Sequence, residues 1–180
     1  MMRHLKTHYH PETPADHGRS QFSRYSTRAI ALQGSDILVM YTQRYQDYSL
    51  PGGGMDEGES RQRALLRELS EETGARLTGS IYEYGQYEEY RPWHRDDYDV
   101  MHQVSFCYLC EVDKVLGDNQ LEAHEIKNGM TPMWLDIHTA IAHNEQVIAN
   151  SSKKGLSIER ETFLLKHIAN HCLEADYCLE

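Results

Sequence analysis

The chain has 180 residues and a formal charge of −10, with 18 Lys plus Arg against 28 Asp plus Glu. That length supports one domain with a sizeable core, and the acidic balance argues against non-specific binding to nucleic acid or to anionic lipid surfaces. No apolar run reaches the length of a membrane span, and the start, MMRHLKTHYHPETPADHGRS, lacks the apolar segment of a secretory signal, so no membrane partner is expected and the cytoplasm is the default location.

Residues 1–24 are polar and carry His4, His8, His10 and His17; they are expected to form a loosely ordered, flexible arm before a single domain over 25–180. Thr27 to Gln33 and Asp36 to Thr42 read as two strands around Gly34-Ser35, a hairpin signal. A glycine turn, Pro51-Gly52-Gly53-Gly54, precedes a helix predicted from about Glu59 to Thr73, with Gly74 as its stop. Leu65, Leu66 and Leu69 form its apolar stripe. Arg76 to Tyr90 alternates as an extended strand does. Tyr90 to Asp99 reads as an exposed loop, and Val100 to Val112 is the strongest strand signal. Glu122 to Gly129 is a polar lead-in to a short strand at Met133-Trp134-Leu135. Asp136 caps a helix running to Glu145, and a closing helix runs from Ser157 to about Glu174. This order fits an α/β chain with a mixed sheet and helices on both faces. Of the four cysteines, Cys107 and Cys110 have C-x-x-C spacing, but residues three apart on a strand point to opposite faces, so they are expected to be free thiols rather than a zinc or redox pair, as are Cys172 and Cys178.

The chemistry concentrates in GGMDEGESRQRALLRELSEETGA, Gly53 to Ala75. On a helix, Glu68, Glu71 and Glu72 stand at i, i+3 and i+4 and share a face. Like charges so close repel, and a divalent cation held by oxygen ligands relieves that repulsion. Arg67 lies four residues before Glu71, within reach of its carboxylate. The stretch resembles the Nudix box, with Gly53, Glu59, Arg67, Glu68, Leu69, Glu71, Glu72 and Gly74 at its fixed positions and Ala75 as a small stand-in for a larger aliphatic residue.

The resemblance implies an α/β/α sandwich with the box helix beside a mixed β-sheet. It also implies hydrolysis of a pyrophosphate bond with Mg²⁺, or alternatively Mn²⁺. By resemblance Glu68, Glu71, Glu72 and a backbone carbonyl near Gly53 bind metal, Arg67 orients the carboxylates, and Glu59 is structural. The general base is either a box residue, with Glu68 the candidate, or an outside glutamate, with Glu125 ahead of Glu122 and Glu111. Tyr90, Arg91 and Trp93, after the box, are candidates to meet the nucleoside or a phosphate. The substrate expected is a small-molecule nucleotide, foremost a nucleoside diphosphate linked to another group, of the ADP-ribose or nucleotide-sugar type. A nucleoside triphosphate cleaved in pool sanitation is the alternative within enzymes. A catalytically idle nucleotide sensor is the alternative of another class, disfavoured because the ligand glutamates are all present. No nucleic acid partner is expected, and a homodimer is left open.

Overall fold

Two four-stranded sheets and four helices make up the computed structural model, which describes residues 1–13, 15, 18–95 and 97–173. In chain order the strands are β1 (His4–Tyr9), β2 (Gln21–Ile30), β3 (Leu32–Gln33), β4 (Asp36–Thr42), β5 (Asp47–Ser49), β6 (Leu77–Pro92), β7 (Val100–Val112) and β8 (Met130–Asp136). The helices are α1 (Arg61–Thr73), α2 (Ala123–Asn128), α3 (Ile137–Asn150) and α4 (Ile158–Ile168), followed by a π-helical turn, Ala169–Leu173. No helix among the described residues is long and apolar enough to cross a membrane.

The first sheet has the order β1-β6-β7-β2 and is mixed. β1 runs parallel to β6 and β2 parallel to β7, whereas β6 and β7 are antiparallel. The second sheet is antiparallel around β4, which pairs with β3, β5 and β8. The chain passes from one sheet to the other at Ala31, whose carbonyl accepts the Leu38 N–H at 3.0 Å.

Strand alternation sorts the core into two layers. Ile30, Ile37, Val39 and Cys107 face Ile137, Ala140, Leu164, Leu165 and Ile168 of α3 and α4. Ala29, Ala31, Leu38, Phe106 and Cys110 face Leu65 and Leu69 of α1. The helices therefore cover both faces, giving the α/β/α sandwich. Cys107 and Cys110 fall in opposite layers, as their spacing on a strand demands, and both are free.

Several boundaries differ from expectation. The flexible arm expected over 1–24 contains β1 and the first part of β2. β1 is held by Leu5, which sits over Gly85 of β6: a Cβ at Gly85 would lie 2.6 Å from the Leu5 side chain. The predicted Thr27–Gln33 strand is two strands shared between the sheets. The hairpin at Gly34-Ser35 is present, with Gln33 opposite Asp36 and Gly34 at φ 62°. Leu66 is exposed instead of docked, because it lies about 100° around the helix from Leu65. Tyr90 to Pro92 extend β6 and are not loop. The polar lead-in at 122–129 contains helix α2. α4 ends at Ile168 in a π-helical turn, and the expected end at Glu174 lies outside the described residues, as do His17 and Cys178.

Candidate active site

The site is built on the Pro51–Gly54 turn, which is zipped along β2. Ala29 N–H donates to Pro51 O at 2.8 Å, Thr27 N–H to Gly53 O at 3.0 Å, and Met55 N–H to Tyr25 O at 3.0 Å. Gly52 adopts φ 138°, and a Cβ there would lie 2.0 Å from the Thr27 carbonyl oxygen, so only glycine fits. With the turn placed in this way, Gly52 N–H donates to Glu72 Oε2 at 2.6 Å.

Helix α1 begins at Ser60, whose hydroxyl accepts the Arg63 N–H at 3.3 Å, and ends at Gly74 in the left-handed region. Its buried side carries Ala64, Leu65, Leu69 and, one face over, Glu68 and Glu72. Arg67 sits at the centre of a fan of acceptors. Its Nε and Nη2 hold both oxygens of Glu59 at 3.0 Å each, Nη2 also reaches Gly54 O at 3.0 Å, and Nη1 meets Glu68 at 2.9 Å and Glu71 at 3.3 Å. The forked guanidinium thus ties the glycine turn to the helix. These bonds, together with the Asp56 N–H, pull Glu59 down to about 2.

Glu125 enters from α2. Carboxylate oxygens of Glu68, Glu72 and Glu125 all lie within 4.8 Å of one another, and all three residues are largely buried. One Glu125 oxygen accepts the Glu122 N–H at 2.6 Å, so the side chain folds back over the start of its own helix. Burial raises Glu68 and raises Glu72 well above the ordinary carboxylate range; for Glu72 the Gly52 N–H and Arg28 oppose the shift, and Glu125 and Glu68 add to it. Three crowded, buried, all-oxygen donors suit a hard divalent cation, which would neutralise them. The donor set therefore fits the divalent metal that the resemblance implies.

Of the residues expected at the metal, Glu68 and Glu72 are brought together and Glu71 is not. Its carboxylate turns to Arg67 and is about a third exposed, at 36 %. Glu125, expected as a base candidate, stands in the cluster instead. The Gly53 carbonyl is engaged by Thr27, and the glycine backbone itself packs on Glu68. Glu122 lies at the rim and pairs with His124 at 3.1 Å, while Glu111 is exposed on β7, outside the cavity.

Above the cluster lies a cavity of about 400 Å³, walled by the glycine turn, α1, α2 with Asn128 at its end, and the start of α4, and lined also by Tyr45 and Asp47. Burial and Glu161 push Asp47 up to about 6. Of the three substrate candidates, only Arg91 lies near this cavity, in an adjoining pocket. Tyr90, one residue away on β6, points to the other face and stacks between Tyr9 and His102, with centroids 4.8 and 4.4 Å apart. Trp93 packs edge-on against Phe22 at 5.2 Å. Trp93→Ala is accordingly expected to leave kcat/KM within about twofold while lowering stability by about 2 kcal/mol. Steady-state kinetics and a denaturant titration check this, and a several-fold rise in KM would place the indole at the substrate after all.

Arg24, Arg28, Glu89, Arg160 and Glu161 were not expected at the site. Arg24 and Arg28 share a face of β2 at i and i+4, a signal hidden because Arg24 falls in the stretch read as a flexible arm. The Glu89–Arg160 pair spans 71 positions, and no local pattern announces it.

A family model described as NUDIX domain matches residues 23–154. An 8-oxo-(d)GTP phosphatase of Mycolicibacterium smegmatis is 46% identical over 39 residues, which is 22% of this chain and only 12% of that protein. Among solved structures, a NUDIX hydrolase from Nitrosomonas europaea aligns with a TM-score of 0.54 at 17% identity, covering 82% of this chain and 90% of that one. The structure of the mMutator MutT protein from Bacillus halodurans aligns with a TM-score of 0.52 at 17% identity, covering 85% and 84%. These two likenesses show the fold. The family model takes in the glycine turn, α1 and Glu125 together, and the chain belongs to the NUDIX family.

Proposed function

We propose that the chain hydrolyses a phosphoanhydride bond of a nucleoside triphosphate with Mg²⁺, Mn²⁺ being the alternative ion. The observation that carries this reading is the cluster of Glu68, Glu72 and Glu125 facing a wall of arginines across one cavity. Glu68 and Glu72, spaced by rigid helix, would hold the cation. When bound, that ion supplies charge shielding for the phosphates and a point of orientation for water. Glu125 approaches from a separate element and takes the proton of the attacking water, as the P–O bond of the anhydride breaks and the leaving phosphate departs. Arg67 keeps Glu68 in place. Tyr45 lines the same cavity with Arg44 over its ring at 5.3 Å, and would meet the nucleoside end of the substrate.

The triphosphate is preferred to the linked diphosphate on two grounds. The arginine wall extends beyond the carboxylates, where further phosphates would lie. A stretch of 39 residues is also 46% identical to the 8-oxo-(d)GTP phosphatase. Asp47, Glu122 and Asn128 favour the second reading, since their acceptors suit the hydroxyls of a sugar attached to a diphosphate. A panel of nucleoside triphosphates, oxidised triphosphates and nucleotide sugars, assayed with Mg²⁺ for release of diphosphate or nucleoside monophosphate, separates the two. Turnover is expected to vanish with EDTA and return with Mg²⁺. Full turnover after exhaustive chelation would refute the mechanism.

A further inference from the structure

Beside the carboxylate cluster lies a smaller cavity, of about 200 Å³, on which Arg24 and Arg28 of β2, Arg91 of β6 and Arg160 of α4 converge. It shares Arg24, Arg28, Arg160, Gly53, Gly54 and Ser157 with the main cavity, so it opens off that cavity, and Arg91 is the guanidinium it adds. Its size falls below the roughly 300 Å³ at which pockets for small organic ligands begin.

Among the described residues two carboxylates form ion pairs with these guanidinium groups, each dividing one oxygen between two of them, and Glu72 acts on Arg28 from farther off. Glu161 Oε1 accepts from Arg160 at 2.7 Å and stands 3.7 Å from Arg28 Nε. Glu89 Oε1 pairs with Arg160 and stands 3.9 Å from Arg91. The second Glu161 oxygen is occupied by the Leu50 N–H at 2.9 Å. Arg160 is therefore well satisfied, whereas Arg28 donates among the described residues only through Nη1, to the Thr27 and Gly52 carbonyl oxygens. Arg28 Nε is buried without a hydrogen-bond partner, and Arg24, at the mouth, forms no hydrogen bond or ion pair among the described residues. Burial pulls Arg28 and Arg91 below the ordinary arginine value, Arg91 to about 10, and neighbouring arginines add to the shift in both.

Burying Arg28, Arg91 and Arg160 against two shared carboxylates, with Arg24 at the mouth, is costly unless a further anion completes the set. Planar guanidinium forks match phosphate oxygens in pairs. We infer that this cavity is a phosphate subsite, distinct from the carboxylate cluster, that holds the phosphate on the leaving side of the cleaved bond. The identity of the ligand rests on the hydrolase reading above. The subsite makes the substrate class phosphate-tailed: a nucleoside triphosphate fills it, whereas a diphosphate ending in a sugar leaves it empty.

The test is calorimetric titration of inorganic phosphate into the metal-free full chain at low salt, for wild type, Arg24→Met and Arg91→Met. Wild type is expected to bind one phosphate, and each variant at least about tenfold more weakly, as loss of one charge-assisted hydrogen bond implies. Arg24 is exposed and has no hydrogen-bond or ion-pair partner among the described residues to lose, so its variant keeps the fold even if Arg91→Met does not. Absence of phosphate binding by wild type, or equal binding by wild type and Arg24→Met, overturns the subsite. In the same preparations, metal-dependent hydrolysis without arginine-sensitive phosphate binding sinks the subsite alone. Arginine-sensitive binding in a protein that hydrolyses no anhydride supports the subsite and sinks the proposed function alone.

Discussion

Glu72→Gln is expected to lower metal-dependent turnover by about 10³-fold or more while the metal-free protein melts no lower than wild type. The two halves of this result have one cause. Glu72 is 3 % exposed and lies among Glu68 and Glu125, so its charge has been taken out of water and set beside two like charges. Charge shielding by a cation is worth several kcal/mol at the transition state, and a variant that cannot hold the ion forfeits it. The amide still presents an oxygen to the Gly52 N–H, so the 2.6 Å bond that fixes the glycine turn survives.

The stability half follows from proton linkage. The folded pKa of Glu72 is raised above its unfolded value, chiefly by burial. The metal-free folded chain therefore binds more protons than the unfolded chain between those two values. Its stability is fully present below the unfolded pKa and is lost as pH rises through the raised one. Glutamine never ionises and escapes that loss. Calorimetry in EDTA is expected to show variant and wild type level at about pH 4, with the variant gaining on wild type as pH rises. Excess Mg²⁺ is expected to reverse the order at neutral pH, since the ion stabilises only the form that binds it. A variant that melts well below wild type in EDTA yet retains turnover would make Glu72 a structural residue.

The sequence discloses those parts of the molecule that rest on local periodicity. β7, the α1 stop at Gly74, the Asp136 cap and the Gly34-Ser35 hairpin are each set by residues within a few positions, and each forms as read. The opposite facing of Cys107 and Cys110 follows from the period of a strand alone. What sequence reasoning missed depends on partners far along the chain. The front of β2, Gln21 to Arg24, is polar and mostly exposed, and it is a strand because β7 offers an unpaired edge from Val100 to Gln103. β1 is fixed by parallel pairing with β6, His4 beside Gln86 through Tyr9 beside Tyr90, and by Leu5 over Gly85, all partners distant in the numbering. α2 has six residues, too few to show a helical repeat. Its only local marks are Glu125 three residues after Glu122 and Gly129 at its end. That short helix decides the site, since it carries Glu125 to the place that spacing on α1 assigns to Glu71. Arg67 explains the exchange: it binds Glu59, Glu68 and Glu71 at once, and holds Glu71 towards solvent.

Gly53→Ala is expected to cost about 10²-fold in kcat/KM with a stability change within about 1 kcal/mol, whereas Gly52→Ala is expected to unfold the site region. The two glycines are neighbours, and the contrast lies in what a methyl group would strike. At Gly52 the new Cβ would meet the Thr27 carbonyl oxygen at 2.0 Å and the Arg28 Cα at 3.0 Å, both backbone atoms of β2, and the backbone angle of φ 138° is one that alanine resists. Neither can give way without breaking the Thr27 and Ala29 hydrogen bonds that zip the turn to the strand. At Gly53 the new Cβ would lie 2.5 Å from Cδ and from both oxygens of Glu68, the far end of a flexible side chain. That carboxylate can swing away at little cost to the fold, but it leaves its 2.9 Å bond to Arg67 and its place beside Glu72 and Glu125. A displacement of about 1 Å at a catalytic group is enough to lose two orders of magnitude in rate. The check is paired: thermal melts of both variants in EDTA, and kcat/KM with Mg²⁺ titrated to saturation. For Gly53→Ala the half-saturating Mg²⁺ concentration is expected to rise along with the loss of rate, because the displaced group belongs to the cluster. Wild-type kcat/KM in Gly53→Ala would show that the position of Glu68 over the glycine turn has no part in turnover.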